Sequence, residues 1–201
     1  EHPYNWVPIG SMDHLNAAQL DEFMAFYKKF YAPNNATLSI AGDIDVEKTK
    51  ELIAAYFGDI PRGADVVQPT VQEPALGGEK TATIYDNIQL PAIMMGYRMP
   101  PQTSDDAYAL QMASSVLSGG PSSRMYKRLV DQDQTALQVF AFPFSLEQGG
   151  AFITFSLANA GKTIDDMVPA LEEEISKLQN ELISEREFQK IQNQMESNFI
   201  Q

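Results

Sequence analysis

Cysteine is absent from the 201 residues, which rules out disulfides, a thiol nucleophile and a thiolate metal site in this chain. Histidine is nearly absent. His2 and His14 lie twelve residues apart, one on an irregular entry segment and one near a helix start, so they cannot form the i, i+4 pair with which a helix holds zinc. No apolar run approaches the about 20 residues that a membrane-spanning helix needs. The opening Glu1-His2-Pro3-Tyr4 lacks the basic region and apolar stretch of a secretory signal. Basic residues are scarce: 14 Lys and Arg stand against 27 Asp and Glu, a formal charge of −13 spread along the chain. Nucleic acid and anionic membrane surfaces are therefore poor partners, and long-range steering favours cationic ones, although an acidic surface also serves solubility alone.

What is present suffices for a globular fold, since 44% of residues are hydrophobic and a chain of this length can bury a sizeable core. After an entry with Pro3, Pro8 and Gly10, Ser11 or Asp13 offers an N-cap for a helix over 14–31, with Leu20, Phe23, Met24, Phe26, Tyr27 and Phe30 on a wide apolar face. Pro33 ends it, Asn34-Asn35 makes a turn, and Ala36 to Ala41 predicts a buried strand stopped by Gly42. Asp43 or Asp45 caps a second helix, Val46 to Phe57, with Gly58 as its stop. From Ile60 to Gly78 no period is sustained and prolines and glycines recur, the chemistry of a linker. The expected division is 1–62, the tail of a first unit, 63–78, a linker, and 79–201, a second unit. The chain starts without Met and stops inside a helical pattern, so it reads as a fragment of a longer protein.

The second unit alternates differently. Thr81 to Tyr85 and Ala92 to Met99 predict strands, 105–117 and 122–131 predict helices, and 136–144 with 151–158 predict a hairpin turning at Glu147-Gln148-Gly149-Gly150. Thr163 caps a helix over 164–182, where Pro169 marks a kink or a later true start, and Ser184-Glu185-Arg186-Glu187 is a capping box opening the last helix. Strand pairs alternating with helix pairs predict an α+β fold: an antiparallel sheet with helices packed on one face.

The central helices are joined by Leu117-Ser118-Gly119-Gly120-Pro121-Ser122-Ser123. Gly119 is expected as a left-handed helix stop, Gly120 as a point of close backbone approach, and Pro121 as the first turn of the next helix. The corner has no Lys-Ser/Thr ending and follows no strand, so it is not a phosphate loop. Ser118, Ser122 and Ser123 have no histidine placed to activate them, and no Gly-x-Ser-x-Gly elbow occurs. The carboxylate clusters have structural readings. Asp105-Asp106 and Asp165-Asp166 fall at helix starts, where they complement the helix dipole, and Glu172-Glu173-Glu174 is a solvated helix face.

Two separated blocks carry a family resemblance. One is the helix, Leu-Ser-Gly-Gly, Ser-Ser-Arg-Met-Tyr and Leu-Val-Asp-Gln-Asp-Gln-Thr-Ala-Leu-Gln-Val run from Leu117 to Val139; the other is Phe26-Tyr27 to Tyr31 followed by Ala32-Pro33-Asn34-Asn35-Ala36-Thr37-Leu38-Ser39-Ile40-Ala41-Gly42-Asp43. In this order they resemble the pitrilysin, insulinase and mitochondrial processing peptidase (M16) family of zinc metallopeptidases, at the end of its first half-domain and most of its second, inactive one. The resemblance implies a hydrolase, bacterial among its relatives, whose half-domains face across a chamber that admits peptides or unfolded chains. It implies proteolysis with zinc held upstream of these residues by His-x-x-Glu-His and a further glutamate. No copy of that motif is present here. No cofactor is therefore expected in the fragment, and zinc is expected in the full-length protein. Bacterial periplasm and cytoplasm both remain open.

Competent members of the family place an arginine after the glycine-rich corner and a tyrosine seven residues later, as hydrogen-bond donors to substrate or transition-state oxygen. Aligned on Leu129 and Ala136, those positions are Val130 and Leu137. The resemblance thus implies no catalytic and no metal residue in this chain, which by itself is expected to be inactive, with the corner glycines Gly119 and Gly120 left as candidates for substrate contact. Two readings follow, beside a third in which the fragment is a packing and interaction domain with no direct substrate contact. Either the full-length protein is a zinc-bearing endopeptidase whose arginine and tyrosine come from a second M16-type subunit, or it is a non-catalytic structural or substrate-gripping partner. In both, the upstream half-domain is this region's first partner.

Overall fold

The computed structural model describes residues 2–71 and 73–200. The chain divides into two compact units, Glu1–Ala82 and Thr83–Gln201.

In the first unit, Ser11 accepts from the His14 amide and opens α1 (Met12–Ala17). The single helix expected over 14–31 is broken, because Ala18 and Gln19 are extended. Local side chains replace the helical bonds there. The Gln19 amide donates to Glu22 Oε2 at 2.7 Å and its side-chain amide donates to the Ala17 carbonyl at 3.0 Å, so one helix is closed and α2 (Leu20–Phe30) opened at the same step. After α2, Asn35 Nδ2 caps the Phe30 carbonyl at 2.8 Å, and Asn34 Oδ1 accepts from the Gly63 amide at 2.8 Å. A Cβ on Gly63 would lie 2.7 Å from that of Ala32, so this hook of the Pro-Asn-Asn turn needs glycine at its far end. Helix α3 (Val46–Phe57) has the expected bounds, with Asp45 Oδ1 accepting from the Lys48 amide at 3.0 Å.

The strand expected over Ala36 to Ala41 is not formed. No described residue of the first unit belongs to a ladder, and Leu38 and Ile40 are 57% and 44% exposed. A strand exists only as a hydrogen-bonded pair, and the segment has no partner in this unit. Its helices are equally bare: Phe23, Phe26 and Tyr27 on the apolar face of α2 are more than half exposed, and Ala32 is the one buried apolar residue among the described residues of the unit.

The second unit is an α+β layer pair. Strands β1 (Ala92–Met99), β2 (Ala136–Ser145) and β3 (Gly150–Ala158) form an antiparallel sheet in the order β1-β3-β2. Register runs from Ala92 opposite Leu157 to Met99 opposite Gly150, and from Gln138 opposite Leu157 to Ser145 opposite Gly150. Side chains alternate across a strand. Phe152, Thr154, Ser156 and Ala158 of β3 and Val139 and Ala141 of β2 are buried on one face. That face packs with Leu117, Met125, Leu129, Met167 and Leu171 into the core. These come from α4 (Asp105–Ser118), from a π-helix (Tyr126–Gln132) and its first flanking residue, and from the start of α5 (Val168–Asn180). A last helix, α6 (Glu185–Ile200), packs on α4. The opposite face carries Met94, Phe140, Phe142 and Phe144, all more than 40% exposed.

Four expectations are corrected here. Thr81 to Tyr85 is no strand, and Ile84 and Tyr85 are 87% and 92% exposed. The helix expected over 164–182 begins at Val168, with Pro169 in its first turn, where a missing N–H costs nothing. Asp165 and Asp166 thus precede the helix rather than start it, and Asp166 accepts from the amide and hydroxyl of Thr163, both at 2.8 Å. Glu174 is not solvated. It is 6% exposed and is reached by Lys177 Nζ at 2.8 Å, a bond Lys177 also makes to Glu173.

Candidate functional site

The segment from Ser118 to Gln138 departs from regular backbone three times. At the corner, Gly119 has φ −73° and ψ 54°, and the Gly120 amide donates to the Ser118 carbonyl at 2.8 Å, a three-residue turn. The left-handed position is therefore Gly120, with φ 95°, not Gly119 as expected. The turn closes so tightly after Ser118 that reversal needs one positive φ, and it falls one residue later.

Serine hydroxyls hold the corner. Ser118 Oγ accepts from the Ala141 amide at 2.7 Å and donates to the Ala141 carbonyl at 3.0 Å, tying it to the outer edge of β2. Two residues on, Pro143 faces the same edge and has no N–H to offer, as suits an edge strand. Ser123, 2% exposed, donates to the Gly120 carbonyl at 2.6 Å, and Ser122 accepts from Lys190 Nζ at 2.8 Å. All three hydroxyls are engaged structurally, and none is poised as a nucleophile.

The second departure is the helix expected as α-helical over 122–131. After Arg124 and Met125 it winds as a π-helix, Tyr126–Gln132. Such a turn carries an extra residue and recurs at functional sites. Its exit is also constrained: Gln134 has φ 51°, the Asp133 amide donates to Arg128 O and the Thr135 amide to Leu129 O, both at 2.9 Å. The third departure is a bulge in β2. Ala136 pairs with Ala158 and Gln138 with Leu157, which leaves Leu137 as the extra residue.

Val130 thus lies in the π-helix, half-buried against the core, and Leu137 sits at the bulge, 50% exposed. The nearby arginines are engaged. Arg124 donates to both carboxylate oxygens of Glu187, at 2.9 and 3.0 Å, and Arg128 donates to Asp133 at 2.6 Å and lies 3.6 Å from Glu173. The Arg124 guanidinium holds the Glu187 carboxyl down at about 2, helped by the amide and hydroxyl of Ser184. Lys177 likewise lowers Glu173, and Asp133 raises Arg128. The sequence shows Arg124 inside the corner motif and the Ser184–Glu187 cap as a local signal. Their joining is a tertiary contact with no local signal.

Neither histidine stands in a cluster of metal-binding side chains among the described residues. His2 Nδ1 accepts from the Tyr4 amide at 3.2 Å and His14 stands edge-on to Trp6 at 5.9 Å. No group of three or more His, Asp or Glu side chains among the described residues could hold a metal ion. No helix among them is long and apolar enough to cross a membrane.

Comparison with known proteins gives the family and the fold. A family model described as the peptidase M16 inactive domain matches residues 17–195. The chain is 28% identical to the zinc protease PqqE of Helicobacter pylori over 202 aligned residues, 99% of this chain but 46% of that protein. An uncharacterized zinc protease of Mycobacterium leprae is 22% identical over 93% of this chain and 42% of its own length. Among solved structures, a protease from Helicobacter pylori superposes with a TM-score of 0.84 and 29% identity, covering 99% of this chain and 49% of that one. A peptidase M16 inactive domain from Pseudomonas fluorescens superposes at 0.73 with 16% identity, covering 96% and 47%, a likeness of fold. The chain spans about half the length of the relatives it matches.

Proposed function

We propose, from the premise that this chain belongs to the M16 peptidase family and carries its inactive domain, that it is the non-catalytic region of a zinc-dependent endopeptidase acting on peptides or unfolded chains. Residues 1–62 are then the tail of the zinc-bearing half-domain, 63–78 a linker, and 79–201 the second half-domain, a wall of the substrate chamber. Zinc belongs to upstream residues, where it would polarise the scissile carbonyl and activate water. The names of the relatives, zinc proteases spanning roughly twice this length, support that assignment. The bare apolar face of α2 and the unpaired segment 36–41 support an upstream half-domain that covers the first unit.

The observation that carries the reading is the pair Val130 and Leu137. Neither side chain can donate a hydrogen bond, and the arginines beside Val130 are bound to carboxylates. The full-length chain then relies on a second M16-type subunit for its arginine and tyrosine. The same observation favours a second reading, a non-catalytic structural or substrate-gripping subunit of such a complex. Zinc content of the full-length protein, purified without added metal, separates the two. One zinc per chain supports the peptidase, and in that case V130R/L137Y raises peptide turnover of the lone chain. Absence of zinc leaves the gripping subunit, and no gain of turnover in a zinc-bearing variant overturns the placement of the two positions.

A further inference from the structure

Residue 130 faces the core because of how its helix is wound. Met125 and Leu129 are fully buried, and Val130 packs half-buried beside them. An α-helix turns about 100° at each residue, which would set Val130 about 140° round the axis from Met125 and turn it away from the core. The i→i+5 winding over Tyr126–Gln132 brings it back to the side of Met125. Met125 and Leu129 suit either winding, because a step of four residues stays on one side of the axis in both. Opposing effects meet in this segment. The π-turn and the left-handed Gln134 after it, φ 51°, are conformations a chain seldom adopts, so backbone relaxation favours the α form. Against it stand the burial of Val130 and one ion pair. Arg128 donates to Asp133 at 2.6 Å, and the Asp133 amide donates to the Arg128 carbonyl at 2.9 Å. Residues five apart lie about 140° apart round an α-helix, so this pair suits only the wider winding.

We propose that the segment 126–132 has two windings, and that Asp133 is a positioning residue that holds the π form and, with it, residue 130 against the core. When the pair is lost the segment rewinds as an α-helix, which keeps Met125 and Leu129 buried and swings residue 130 outward. Glu173, 3.6 Å from Arg128 and shared with Lys177, belongs to α5, so it holds Arg128 without choosing between the windings. The use of an outward residue 130 against peptide rests on the proposed function; the winding itself does not.

A thiol placed in this segment reads the winding, since these residues contain no cysteine. Val130→Cys in the full-length protein is treated with a soluble aromatic disulfide, and the rate is taken as the gain over the parent protein. Adding Asp133→Ala is expected to speed the reaction about fivefold, the weight of one exposed ion pair. Asp133→Glu restores the slow rate, and Asp131→Asn, which alters an exposed carboxylate outside the pair, leaves it unchanged. Leu129→Cys separates rewinding from general loosening, because residue 129 stays buried in both windings and its thiol stays slow with or without Asp133. Raising salt speeds Val130→Cys while Asp133 is present and not after its removal. Should Asp133→Ala fail to fold, the salt responses of Val130→Cys and Leu129→Cys decide. The proposal is overturned if loss of Asp133 leaves the thiol at 130 as slow as before, if the thiol at 129 speeds up equally, or if salt moves neither. Peptide turnover plays no part in these rates, so they stand or fall apart from the proposed peptidase.

Discussion

Replacing Thr154 by valine should make the second unit more stable, although it deletes a polar group from the centre of the sheet. Thr154 lies in the middle strand between Met95 and Ala141, is 1% exposed, and its Oγ1 has no hydrogen-bond partner. A buried hydroxyl without a partner carries a desolvation cost of about 1–3 kcal/mol. Valine has nearly the same shape, also branches at Cβ and suits a strand, so neither packing nor rotamer freedom offsets that gain. Taking the lower part of the range, the variant should gain about 1 kcal/mol, or about 4 °C in melting temperature for a unit of this size. Ser156, two residues along on the same face, is the control. Its hydroxyl lies 3.2 Å from Met167 Sδ, so Ser156→Ala should gain nothing. Thermal unfolding followed by far-ultraviolet circular dichroism suits both, because the single tryptophan, Trp6, belongs to the other unit. A lower melting temperature for Thr154→Val would refute the reasoning and reveal a partner for the hydroxyl, such as an enclosed water.

Acid should loosen the start of α6 before it unfolds the sheet. Glu187 is held near 2 by Arg124, below its ordinary value. A depressed carboxyl contributes stability that is full above the unfolded value, near 4.5, and lost as pH falls through 2. Exchange of α6 amides should thus accelerate between those two values, and Arg124→Gln should weaken the dependence, leaving only the part due to the Ser184 amide and hydroxyl; an α6 unaffected across that window would contradict the pairing. Gly120→Ala should cost about 1 kcal/mol from its positive φ alone, since open space surrounds the position, measurable by urea titration; a neutral result would mean the corner can relax. Of the two substitutions in the turnover test, Val130→Arg should destabilise the fold by about 1–3 kcal/mol because it drives a charge against the core. Leu137→Tyr, on an exposed bulge, should stay within about 0.5 kcal/mol, and equal costs in a melting experiment would show that the two positions are not placed as described.

The regular elements were legible where one local cause decided them. Val46 to Phe57 follows from an N-cap, an apolar face and a glycine stop, and Ala92 to Met99 and the hairpin follow from alternation. The errors fall where a second segment decides the outcome. Ala36 to Ala41 has the composition of a buried strand and stands unpaired, since the ladder that would bury it is not in this unit. Residues 14–31 have a continuous helical pattern, and one carboxylate, Glu22, was enough to split it by satisfying the amide of Gln19. The glutamate triplet looked solvated because periodicity reports spacing and cannot report that Lys177 and Arg128 lean over one side of it.

The candidate site shows the same division more sharply. Its two positions, 130 and 137, are proposed from the family resemblance, and the way they are presented was not legible, because the π-helix and the bulge each hold one residue more than a regular element would. Such an extra residue has no signature in composition. It arises because both ends of the segment are fixed: at the corner by Ser118 on Ala141 and Arg124 on Glu187, at the exit by Arg128 on Asp133 and by the left-handed Gln134. Between fixed ends, surplus length must be absorbed locally, here in the π-helix that contains Val130, and a separate extra residue, Leu137, is taken up by the bulge just past the exit. Irregular backbone persists where its surroundings over-determine it. The segment therefore has constraints that fix residues 130 and 137 although neither side chain can donate a hydrogen bond. That combination is what the proposed reading requires: a shaped surface whose own side chains supply no chemistry.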